Sequence, residues 1–220
     1  MTHRALFRFS WNPALLAVAA AAVLLGGCQA MFTFSPLSGL QRPPSSMTPE
    51  QRLTYARDAL ASGDTAAMRS AYEAIMNDTS ADAQYVTAQL GIELSGVPTV
   101  LRDCASDPST ITASLNTIDA FIASHNLDPN FMVAAAGQLY NAALGGVTLT
   151  AMDRVMGSMG LMLGFAQSTS GTWDVTTVST ADAGIARAFL SPAVTEVASL
   201  PSGDSLRTFI EDYDAYLATF

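Results

Sequence analysis

The 220-residue chain is 50% apolar, 13% charged and 8% aromatic, and its 19 acids outnumber 10 bases for a formal charge of −9. A disordered chain carries few apolar residues and much charge, so that class is excluded, and there is material for one core or one short array of repeats. All ten bases are Arg, with no Lys and no basic cluster to release phosphate counterions, which argues against nucleic acid as a partner.

His3, Arg4 and Arg8 make a weakly basic opening, and Ala14 to Leu25 follow as twelve apolar residues without a charge. A helix that crosses a bilayer needs roughly 20 apolar residues, whereas an apolar run of about 7–15 before small residues is the export pattern. Leu25-Gly26-Gly27-Cys28 resembles the lipobox of bacterial lipoproteins, in which a branched apolar residue and two small ones precede the cysteine that is diacylated. The resemblance implies lipidation at Cys28, removal of residues 1–27 as a signal peptide, and acylation of the new amine. Two or more acyl chains anchor a protein stably. Gln29 follows the cysteine, where an Asp would favour inner-membrane retention, so the expected site is the outer membrane facing the periplasm. The mature chain would carry 19 acids and 8 Arg, a charge of −11, and its attachment to membrane would rest on lipid.

Residues 28–47 combine the lipidated Cys with an aperiodic segment containing Pro36, Gly39, Pro43, Pro44, Ser45 and Ser46, which reads as a flexible tether. At ~3.3–3.6 Å per residue it could hold the remainder some ~60 Å from the lipid. From 48 to 220 the helical period dominates. Thr48-Pro49-Glu50-Gln51 is a capping box with Pro at the first helical position, and Leu53, Ala56 and Leu60 then share a face. Gly63-Asp64 breaks and recaps the chain before Met68, Ala71, Tyr72 and Ile75. Ala83, Val86, Leu90 and Leu94 stripe a third helix, and a short one follows Pro98. Asp107-Pro108 caps a helix with Ile111, Leu115, Ile118 and Ile122. Asp128-Pro129 caps another, through Phe131, Ala135, Leu139 and Ala142, which Gly145-Gly146 ends. Met152, Val155, Met156, Met159 and Leu163 stripe the next. Gln167 to Ser179 is the longest loop and the one place suited to a stray strand. Helices around Ala181 to Leu190 and, capped by Ser191, Pro192 to Leu200 precede a last one with Leu206, Phe209, Ile210, Tyr213 and Leu217. The class is all-α, built from antiparallel helix pairs, either a repeat solenoid or an irregular bundle.

Over about 48–146 the chain resembles a degenerate tetratricopeptide array. Gly137 and Tyr140 fall at that motif's Gly and Tyr, and Phe121 and Pro129 at its Phe and Pro. Gly63-Asp64 resembles the turn within a unit and Tyr72 its packed aromatic. Val133 and Ala136 replace the motif's Trp and Leu, and Tyr72 and Phe121 are 49 residues apart instead of 34. The resemblance implies small residues such as Ala56, Gly91 and Gly137 where paired helices touch. Gly137 is therefore expected at the closest approach of the preceding helix, with Tyr140 packed beside it.

No phosphate, metal, cofactor or nucleophile motif stands out. His125, at an expected helix end, reads as a terminal cation or cap. Cys104, left alone once Cys28 is lipidated, reads as a packed thiol. Met152, Met156, Met159 and Met162 offer soft sulfur suited to Cu(I), but the same spacing is a core stripe. Gly157, Gly160 and Gly164 beside them cost roughly 1 kcal/mol each against Ala, which implies close approach of another helix. Glu211, Asp212 and Asp214 read as a solvated helix face, and Trp173 as a lid over a core edge. The expectation is a non-enzymatic envelope lipoprotein, without cofactor or metal, that meets a protein partner through a helical-repeat surface. The alternative is a small-ligand-binding lipoprotein associated with periplasmic solute uptake.

Overall fold

The computed structural model describes residues 43–100, 125–167 and 172–220. Residues 1–42, with the expected signal peptide, Cys28 and most of the expected tether, lie outside it, as do Cys104, Phe121 and the helix expected after Asp107-Pro108. The described chain is all-α, and its one β-type pairing is an antiparallel bridge between Gln167 and Trp173 in the loop where a strand was conceivable.

The helices are α1 (Pro49–Ser62), α2 (Thr65–Ile75), α3 (Ala81–Leu94), α4 (Pro129–Leu144), α5 (Ala151–Ala166), α6 (Thr180–Val197) and α7 (Ser205–Leu217). Local chemistry sets most of their ends. Thr48 and Gln51 exchange capping hydrogen bonds at α1, and Gly63 ends it at φ 67°, a conformation that favours glycine. Asp64 and Asp128 cap α2 and α4 through their carboxylates. Thr150 and Asp153 form a second capping box at α5.

Among the described helices, each packs chiefly on those next to it in order. Three apolar clusters result. Ala56, Met68, Ala71, Ile75, Val86 and Leu90 form the first, between α1, α2 and α3. Ala88, Ile92, Met132, Leu139, Met156 and Phe189 form the second, around α3, α4, α5 and α6. Val155, Met162, Leu190, Val197, Ile210 and Leu217 form the third, among α5, α6 and α7. Thus α3 serves the first two clusters, and α5 and α6 the last two. The Asp128 N–H donates to the Ser95 carbonyl at 3.0 Å, tying the start of α4 to the end of α3.

The methionine stripe divides accordingly: Met156 enters the second cluster, Met162 the third, Met159 packs against both, and Met152 is exposed. The glycines of α5 meet neighbouring helices. A Cβ at Gly160 would strike the Met132 carbonyl oxygen and come within 2.8 Å of the Ala136 Cβ; one at Gly157 would strike the Phe189 ring; one at Gly164 would lie 3.3 Å from Val133. Gly91 approaches α4 similarly, with Phe131 O at 3.1 Å and the Tyr72 ring at 3.6 Å.

Two expectations are overturned. Gly137 has nothing within 4 Å of a Cβ and is exposed, and Tyr140 is also exposed, because Ala135, Ala136, Leu139 and Ala142 supply the buried face of α4. The close approach to α4 comes from α5, at Gly160. Secondly, α6 runs unbroken through Pro192, which was expected to start a new helix after a Ser191 cap. Proline removes one N–H and costs about 3 kcal/mol within a helix. Here the buried series Ala183, Ala186, Leu190, Ala193 and Val197 continues across it at helical spacing, so breaking the helix would expose half of that face.

Opposite signs are therefore expected at two glycines. Gly160→Ala should destabilise the protein by ~1–3 kcal/mol through overpacking. Gly137→Ala should stabilise it by up to about 1 kcal/mol through helix propensity. Denaturant melts compare them, and a Gly160→Ala protein as stable as Gly137→Ala would remove the close approach from the fold.

Candidate functional site

Where α4 ends and α5 begins, α5 lies against α6, and the three helices leave an open groove of about 370 Å³ between them. Tyr140, Ala143 and Leu144 of α4 line one side, Ile185, Ala188 and Phe189 of α6 the other, and Arg154 of α5 completes it. The volume is at the small end of ligand pockets, and the groove is not enclosed. Its rim is apolar and exposed: Leu144 is 72% accessible, Ile185 50% and Tyr140 48%. These are large side chains that folding leaves in water, gathered in one place, which is the informative kind of surface apolar residue.

Arg154 supplies the charge. Its guanidinium lies 5.8 Å from the Phe189 ring centroid and donates to the Phe189 carbonyl at 3.4 Å. Among the described residues no carboxylate reaches it within 4 Å, whereas Arg57, Arg187 and Arg207 each have one, Asp82, Asp214 and Glu211 respectively. Pro192, having no N–H, leaves the carbonyl of Ala188 without its usual helical donor.

The residue before Arg154 explains its placement. Asp153 is 6% exposed, and one of its carboxylate oxygens accepts from the Thr150 N–H at 2.9 Å, the Thr150 hydroxyl at 2.8 Å and the Tyr85 hydroxyl at 3.1 Å. The other accepts from the Gln89 amide at 2.6 Å. Tyr85 and Gln89 belong to α3, so this carboxylate joins α3 to α5 and fixes the first turn of α5. The positive end of that helix also favours an anion there. Asp153 is thus a positioning group for Arg154.

Among the described residues, those singled out from sequence do not assemble into a site. His125 is half-buried in the turn before α4, where Asn126 takes φ 51°. Trp173 is half-buried on the bridge to Gln167. Glu211 pairs with Arg207 at 2.8 Å and Asp214 with Arg187 at 2.7 Å, while Asp212 is exposed. Arg207 also donates to the carbonyls of Leu200 and Ala198 just beyond α6, at 2.8 and 3.2 Å. Sequence reasoning missed Tyr140, Leu144, Arg154, Ile185 and Phe189 as a group, because they converge only through packing. Thr150-Ala151-Met152-Asp153 could have been read as a cap, with Asp in place of the usual Glu.

The fold and groove define a class, an all-α protein with an open apolar groove around one cation. No family model, curated protein or solved structure matches the chain.

Three phenols have raised pKa values: Tyr72 through burial, Tyr85 through burial first and then the charge and hydrogen bond of Asp153, and Tyr213 through burial, opposed by Ser158. The folded chain therefore holds these protons more tightly than the unfolded chain. Their stabilisation is intact below the ordinary phenol value near ~10 and is lost as pH rises above it. Asp153→Ala should cost about 2–4 kcal/mol at neutral pH, by leaving the groups around it unpaired, and should flatten the alkaline loss through Tyr85. Asp58→Ala, at an exposed site, should stay within about 0.5 kcal/mol. Denaturant melts from neutral to alkaline pH test both, and equal effects of the two substitutions would contradict the role of Asp153.

Proposed function

We propose that this chain is an envelope lipoprotein, anchored through Cys28 and facing the periplasm from the outer membrane, that acts without catalysis as an interaction or assembly adaptor. The observation that carries the adaptor reading is the open apolar groove, whose rim of Leu144, Ile185 and Tyr140 stays exposed. An open groove with an outward-facing rim suits a partner surface better than a small ligand, which an enclosed pocket would bury. The lipobox-like Leu25-Gly26-Gly27-Cys28 supports the anchor, and the tether gives the helical part reach.

Photo-crosslinking in intact cells tests the proposal. A photoreactive residue at Leu144 or Ile185 should give the same discrete protein adduct, and one at exposed Asp58 should not. Cys28→Ser should abolish lipid labelling and that adduct together, while wild-type membrane association survives high salt, because acyl burial is not screened. Adducts independent of position, or release by salt alone, would contradict the adaptor or the anchor respectively.

A further inference from the structure

We infer that the groove receives a protein segment in which a large apolar side chain stands next to a single carboxylate, the carboxylate pairing with Arg154. The inference rests on the adaptor reading and specifies its chemistry. A guanidinium has five N–H donors, and the long bond to the Phe189 carbonyl uses one. Helix stability does not account for the position of Arg154 either, since it lies in the first turn of α5, where the helix dipole disfavours a cation. A guanidinium that meets no carboxylate among the described residues and lies between apolar walls is a ready site for one bidentate carboxylate.

The rest of the molecule narrows the partner further. The chain is acidic, at −9, and repels an acidic tract. Recognition must then come from short-range contact, with apolar burial beside one carboxylate rather than a run of them. A small amphipathic anion would satisfy Arg154, but it would leave the outward-facing Leu144 in water. A polypeptide segment covers that rim.

Panning a randomised heptapeptide library on the detergent-solubilised full chain tests this, with Arg154→Gln, Arg154→Lys and the Leu144→Ser/Ile185→Ser double variant in parallel, each first shown to melt like the parent. The wild type should enrich peptides with Phe, Tyr, Trp, Leu or Ile within two positions of one Asp or Glu. Arg154→Lys should keep the acidic preference. Arg154→Gln should lose it and bind the selected peptides ~10-fold more weakly, which is about 1.4 kcal/mol. Enrichment of apolar peptides without an acid, abolished by the double variant but not by Arg154→Gln, would overturn the carboxylate inference and leave the adaptor reading standing. No enrichment over the double variant would overturn both. Dodecanoate binding that requires Arg154, with no peptide enriched, would replace the segment with an amphipathic small molecule.

Discussion

The close approach of α5 to α4 at Gly160 is the constraint on which the remaining packing depends. With no side chain at that position, the α4 backbone at Met132 comes near enough that even a methyl group would collide. Gly157, nearly one turn earlier, does the same for the Phe189 ring of α6. One helix with glycine on these faces can therefore contact two others at short range, and the second and third apolar clusters meet along it. The cost is helix propensity, roughly 1 kcal/mol for each glycine, offset by the apolar area that close packing removes from water.

The groove is a by-product of that geometry. Because Phe189 is drawn against Gly157 and the second cluster, its ring lies beside Arg154, and Ile185 and Ala188 of α6 face the end of α4 across the groove. Asp153 holds the first turn of α5 to α3 through Tyr85 and Gln89, so the cation is presented from a fixed turn rather than from a loop. Polar pinning and glycine packing act on the same helix, one at its start and the other along its length. Ser158 adds a third tie, donating to the Ala186 carbonyl at 2.9 Å beside the Tyr213 hydroxyl.

How much of this could be read in the sequence depended on distance along the chain. The caps at Thr48, Asp64 and Asp128 and the stop at Gly145-Gly146 involve residues within a few positions of one another, and the structure has them where the local chemistry put them. The need of Gly157, Gly160 and Gly164 for a close neighbour was also legible, from the helix stability they forgo. Which neighbour was not, and the motif-based reading of Gly137 failed because similarity to a repeat position says nothing about which face of α4 is buried. Pro192 was misread because local propensity was weighed without the buried face on either side of it. The union of Asp153 with Tyr85 and Gln89, 68 and 64 residues away, had no local signal at all. The groove was invisible for the same reason: Leu144 and Ile185 are ordinary helix residues until α5 brings their helices together.

Native-state hydrogen exchange on the Gly160→Ala protein tests most directly whether α5 sets this arrangement. If it does, the amides of α4 and α5 and those of α6 around residues 185–190 lose protection together, while α1 and α2, which pack in a separate cluster, keep theirs. Loss confined to the turn around residue 160, or spread evenly into α1 and α2, would contradict it.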